Sequence, residues 1–168
     1  MALPQDDALG ALHIPTTEDV ELLQRVGTRS HFELEMNFPM EKYWEIITDW
    51  TNISWVKDAV KQEQLGDRVR QVWFDRGTTL KERLMSTDES NHSLVYAVLE
   101  SPMPAKAYEG TVTIKATGPG TTFLTYDAVY IPNDGVDPVA LKASVDTNFN
   151  ARVAWTKATF DTAAQPAT

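Results

Sequence analysis

In the stretch TTLKERLM a carboxylate falls into line with leucines. Leu80, Glu82 and Leu84 share one parity, while Thr79, Lys81 and Arg83 share the other. Side chains alternate across a strand, so this spacing turns Glu82 toward the apolar face. An ionised carboxylate is expensive there unless it is partnered. Burial raises the pKa of a carboxyl group and suits it to general acid–base chemistry. A hydrogen-bonded pair with a neighbouring Arg or Lys would make Glu82 structural instead, and the sequence alone supports both readings.

Two tyrosines follow, one on each side of the loop SPMP. Tyr96 lies between Leu94 and Val98, and Tyr108 shares its face with Val112 and Ile114. A buried phenol needs a partner for its hydroxyl, which a cavity supplies through water or ligand; packing alone accounts equally well for either ring. The loop sets Met103 between Pro102 and Pro104, a soft apolar tip. The stretch TTFLTYDAVYI leaves its parity open. With Phe123, Thr125, Asp127 and Val129 inward, Asp127 is a second carboxylate beside Glu82 and Thr125 a contact. With Leu124, Tyr126, Ala128 and Tyr130 inward, two more tyrosines line the interior instead. Further along, Phe149 centres an apolar helical stripe flanked by Asn148 and Arg152. Arg152 can reach inward to neutralise Glu82 or bind an oxyanion, or follow its aliphatic stem to solvent. Trp55 and Trp73 complete the candidate substrate contacts, Trp55 as a fixed wall.

The elements that must position these groups can be read from periodicity and turn chemistry. Residues 1–28 read as an arm with a short helix, for which Thr17 is the expected N-cap and Val20, Leu23 and Val26 the apolar positions. SHFELEMNF alternates as a half-buried strand. Pro39 ends it and opens MEKYWEIITDW, with Met40, Tyr43, Trp44 and Ile47 at helical spacing. A break at DWTN and the short ISWVKDA then make a bent pair of short helices. Six strands follow up to residue 131, separated by GD, DRG, DESN, SPMP and TGPG, all turn-forming sequences. Asp137 caps and Pro138 opens a long helix striped by Val145, Phe149, Val153, Thr156 and Phe160. The expected organisation is one domain over 29–161 and a frayed tail at 162–168.

Bulk properties narrow the function classes. A chain of 168 residues suits one core, and its net charge of −9 disfavours nucleic acid and anionic membranes as partners. There is no cysteine, hence no disulfide, thiolate nucleophile or Cys-based metal site. His13, His31 and His92 are scattered without metal-ligand spacing, so no metal and no cofactor is expected. No G-x-S-x-G elbow or phosphate-cradling Gly loop occurs. No apolar run is long enough to span a bilayer, and the N-terminus lacks secretory character, so a cytoplasmic location is the expectation.

Four stretches carry a resemblance: WEIITDWTNISWVKDA, RVRQVWFDRGTTLKERLMSTDESNHSLVYAV, SPMPAKAYEGTVTI and GPGTTFLTYDAVYIP. Over roughly residues 29–161 the chain resembles the SRPBCC superfamily. Its members include START lipid-binding domains, birch-pollen allergens, plant abscisic-acid receptors and polyketide cyclase/dehydrase-like proteins. The resemblance implies an α+β helix-grip fold: a seven-stranded curved antiparallel sheet wrapped around a long C-terminal helix, with two short helices after the first strand. It implies that FDRGTT and SPMP are gate loops over a cavity mouth. It also matches Glu82 and the Tyr96–Tyr108 spacing to ligand-facing groups of the receptor-like branch, and Lys57 to a lysine that pairs with a ligand carboxylate. The implied function is binding of a hydrophobic small molecule. As a cyclase/dehydrase-like enzyme, Glu82 would be the acid/base, Tyr96 and Tyr108 would steady an enolate, and Lys57 or Arg152 would hold a carboxylate. A non-catalytic carrier is the alternative and a protein-interaction module a weaker one, with homodimerisation left open. The fold serves carriers, receptors and enzymes alike, so it does not choose among them.

Overall fold

The computed structural model describes residues 14–163. Residues 1–13 of the expected arm, and the tail beyond residue 163, lie outside the described residues. Helix α1 (Thr17–Val26) is capped by Thr16, one residue earlier than expected. The Asp19 N–H donates to Thr16 Oγ1 at 3.3 Å and the Thr16 N–H donates back to the Asp19 carboxylate at 2.7 Å. This reciprocal box needs the acid three residues on, which position 19 supplies and position 20 does not. β1 (Thr28–Met36) alternates as expected, burying Ser30, Leu34 and Met36 and leaving His31, Glu33 and Glu35 exposed.

Pro39 precedes α2 (Met40–Thr48), which buries Tyr43, Trp44 and Ile47. The expected second short helix contracts to turns, with the Val56 N–H donating to the Ile53 carbonyl at 2.9 Å. The cause is local. Asp49 accepts from the backbone and hydroxyl of Thr51, and Asn52 does the same for Ser54. Such side-chain turns compete with helical hydrogen bonds.

The remaining strands are β2 (Ala59–Gly66), β3 (Val69–Phe74), β4 (Thr79–Asp88), β5 (Ser93–Glu100), β6 (Ala105–Gly118) and β7 (Thr121–Pro132). They form one antiparallel sheet in the order β1-β7-β6-β5-β4-β3-β2. α2 and its turns carry the chain from one edge to the other, and the meander then returns to pair β7 with β1. Register shifts at Lys81/Glu82 and Leu84/Ser86 bend β4 against β5, as bulges do. α3 (Pro138–Ala163) runs along β1 and buries Leu141, Val145, Phe149, Thr156 and Phe160. Its stripe is therefore the expected one, with Val153 half-buried at its margin. Phe149 stacks on Phe32 at 4.9 Å, and Phe160 meets Phe38 and Tyr43 edge-on at the same distance. The architecture is α+β: a seven-stranded sheet gripping one long helix.

Candidate functional site

A cavity of about 440 Å³ lies between α3 and the concave face of the sheet, within the usual range for small-molecule sites. β3 and β4 supply its most polar wall. The three-residue turn at 75–77, where Gly77 takes φ +86°, pairs Phe74 with Thr78. Counting back along this hairpin sets Arg70 directly opposite Glu82. Both side chains are buried. Arg70 donates to Glu82 Oε1 from Nε at 2.8 Å and from Nη2 at 2.6 Å, and its guanidinium lies 3.7 Å from the Trp50 ring centroid. Both bonds end on one oxygen, and Oε2 forms no hydrogen bond among the described residues. The parity expectation for Glu82 holds, and the partner is Arg70, not Arg152.

The tyrosines form the floor. Tyr96 and Tyr108 are buried with ring centroids 6.3 Å apart, and Tyr108 stacks on Tyr130 at 5.9 Å. Gly110, the register partner of Tyr96, lets that ring lie flat on the sheet: a Cβ there would stand 2.4 Å from Tyr96 Cζ. Burial is the first cause that pushes the Tyr96 phenol up to about 12, with the positive charge of Arg152 opposing it. Tyr108 is also raised, by burial first and then by Tyr96. Phenols so shifted stay neutral near physiological pH and donate hydrogen bonds without surrendering their protons.

From α3, Asn148, Phe149 and Arg152 all face the cavity. The Arg152 guanidinium sits 5.1 Å from the Tyr126 ring centroid, and its Nε is sealed from solvent without a hydrogen-bond partner. Burial alone would lower its pKa; Tyr126, Tyr96, Glu82 and Tyr108 outweigh that and hold it charged. Met103 lines the wall and packs on the core. The exposed side chains of Lys57, Arg76, Pro102 and Asn148 form the rim, so the tips at 74–79 and 101–104 meet at one opening.

Four expected contacts lie elsewhere. β7 turns Leu124, Tyr126, Ala128 and Tyr130 inward, which puts Asp127 and Thr125 on the outer face. There Asp127 bonds His31 Nδ1 at 2.6 Å, next to Glu33 on the other ring nitrogen at 3.0 Å. Exposure solvates these charges, whereas the opposite parity would bury a carboxylate and expose two phenol rings. Trp73 also faces outward, under the ammonium of Lys61 at 4.4 Å, because Arg70, Val72 and Phe74 hold the inner parity of β3. Trp55 borders a smaller recess behind the cavity, near Trp155 and Phe160. Sequence reading missed Arg70, Trp50 and Gly110. Arg70 was accessible from the hairpin count; Trp50 and Gly110 act through contacts that no spacing announces.

Several solved structures share this architecture. The di-domain aromatase/cyclase BexL of the BE-7585A biosynthetic pathway aligns with TM-score 0.72 at 16% identity, covering 83% of this chain and 48% of that one. Truncated norcoclaurine synthase from Thalictrum flavum aligns with TM-score 0.65 at 15% identity, covering 85% and 96%. The Zhui aromatase/cyclase from Streptomyces sp. R1128 aligns with TM-score 0.63 at 16% identity, covering 79% and 93%. At these identities the likeness establishes the fold alone. No curated protein sequence matches the chain. The profile described as polyketide cyclase/dehydrase and lipid transport matches residues 28–160, and with the gripped helix and the cavity beneath it, the chain belongs to that family.

Proposed function

We propose that the protein binds a hydrophobic, carbonyl-bearing small molecule in the cavity and catalyses its cyclisation or dehydration by general acid–base chemistry. One observation carries the reading: Glu82, Tyr96, Tyr108 and Arg152 all border a single cavity that Val72, Leu80, Val98, Val145 and Phe149 also line. In this reading Glu82 removes a proton from the carbon beside a carbonyl through its unengaged Oε2. The neutral phenols and the Arg152 cation hold the oxygen on which negative charge develops. The new carbon–carbon bond forms at a second carbonyl, whose oxygen finally receives the proton from Glu82. Closure by the two tips at the rim would exclude water. The aromatase/cyclase likenesses agree with this chemistry without specifying it.

Carriage without catalysis is the second reading, favoured by the engagement of Glu82 Oε1 by Arg70. One substitution separates the two. Glu82→Gln keeps an acceptor for Arg70 and removes the base. With a naphthalene-bearing β-diketone in deuterated water, NMR should register protein-accelerated exchange of the central C–H, falling about a hundredfold or more in the variant. Affinity, by calorimetry, should change little. Binding of the diketone without any acceleration would leave carriage as the function.

A further inference from the structure

Behind the main cavity, and sharing Arg70, Glu82, Tyr96 and Arg152 with it, lies a recess of about 30 Å³. Three of the groups that border it are obligatory donors without acceptors. The indole Nε1 atoms of Trp50 and Trp55 and the Nε of Arg152 are sealed from solvent, and none has a hydrogen-bond partner among the described residues. An indole N–H and a guanidinium N–H cannot accept, so they cannot satisfy one another. The acceptors already on the recess, Glu82 Oε2 and the hydroxyls of Tyr96 and Tyr126, bond none of the three. Buried donors left unpaired are costly, and an acceptor brought into the space would relieve them.

Charge points the same way. Glu82 is the one carboxylate on the recess, and its charge is compensated by Arg70 at 2.6 Å. Arg152 has no carboxylate within ion-pair distance among the described residues, so its charge is left over. The main cavity repeats the pattern, with Lys57, Arg70, Arg76 and Arg152 against Asp58 and Glu82. A chain of net charge −9 thus borders this cavity and its rim with an excess of cations. Such a reversal of sign focuses an attractive field on anions.

We propose that the recess is an anion subsite that receives the carboxylate of an amphipathic ligand whose ring body fills the main cavity. The inference rests on the hydrophobic-ligand reading above and adds the ligand's charge. The recess, at about 30 Å³, exceeds the ~10–15 Å³ of internal space that one buried water needs, which suits a small oxyanion group and excludes a ring.

Calorimetric titration of the intact protein with naphthoate and with its uncharged counterpart naphthamide tests the assignment. The carboxylate should bind at least about tenfold more tightly than the amide. Arg152→Met should abolish most of that preference, the carboxylate losing more affinity than the amide. Trp55→Phe keeps a ring and removes one donor, and should reduce the preference about threefold; it serves as the decisive variant if circular dichroism finds Arg152→Met unfolded. Equal binding of acid and amide would overturn the anion subsite and leave the hydrophobic cavity standing. Failure of both to bind would overturn the hydrophobic-ligand reading and this inference with it. A preference lost in Lys57→Met but kept in Trp55→Phe would place the anion at the rim and overturn the recess.

Discussion

The two kinds of polar site along α3 differ in one respect: whether the protein completes its own hydrogen bonds. Near the helix start, Ser30 Oγ donates to Asp146 at 2.7 Å and meets the Tyr130 hydroxyl at 2.9 Å, while Lys142 donates to the Arg29 carbonyl at 3.0 Å. Near its end, Lys157 donates to the Glu35 carbonyl at 2.8 Å, and Asp161 accepts from the Asn37 N–H at 2.7 Å. Both clasps tie the helix to β1 or the residue just after it. Between them, Arg152 Nε at the cavity and the buried Thr156 Oγ1 have no hydrogen-bond partner among the described residues. Satisfied networks rigidify, and unsatisfied buried groups carry a cost that a bound molecule can relieve. The helix is therefore pinned at two points and chemically open in the middle.

The largest expected effect would show that even the open stretch depends on one closed pair. Arg70→Met strands Glu82 as an unpaired buried charge and should cost about 3–5 kcal/mol by urea denaturation, with Arg70→Met/Glu82→Met costing markedly less. Breaking the first clasp is the next test. Ser30→Ala leaves the Tyr130 hydroxyl and the Asp146 carboxylate short of a partner and should cost about 1–3 kcal/mol in the same assay.

Acid should loosen the clasps. At Asp146 and Asp161 burial opposes ionisation, but hydrogen bonds from Ser30 and Asn37, with Lys142 and Lys157 respectively, outweigh it and hold both below the ordinary carboxylate range. A depressed folded-state pKa gives stability that is present above the unfolded value of 3.8 and lost as pH falls through the folded one. Melting temperature should therefore decline in that acid window, and Asp146→Asn should flatten the decline. The smallest effect belongs to Thr156→Val, which removes a buried hydroxyl without a hydrogen-bond partner among the described residues; stability should stay within about 0.5 kcal/mol or rise. A loss as large as that of Ser30→Ala would erase the contrast.

Much of this arrangement was legible beforehand. Leu80, Glu82 and Leu84 share a parity that can be read without a structure, and so does the stripe from Val145 to Phe160. Asp127, Thr125 and Trp73 went astray for a common reason. Each lies on a strand whose two parities both carry apolar residues, so alternation does not choose a face. Burial of Tyr126 and Tyr130, and of Val72 beside Arg70, made the choice through competition among neighbours on other strands.

Local pattern thus determined which elements form, which face of β4 looks inward and which side chains are able to exchange protons. These depend on the near-neighbour geometry of a strand or helix, which spacing encodes. Tertiary structure alone decided that Arg70 takes the charge of Glu82 and that Gly110 makes room for Tyr96. It also decided that Trp50, Trp55 and Arg152 border one recess as donors without acceptors. Those outcomes depend on register and on distances between residues remote in the chain, and only the closed packing of sheet on helix sets them.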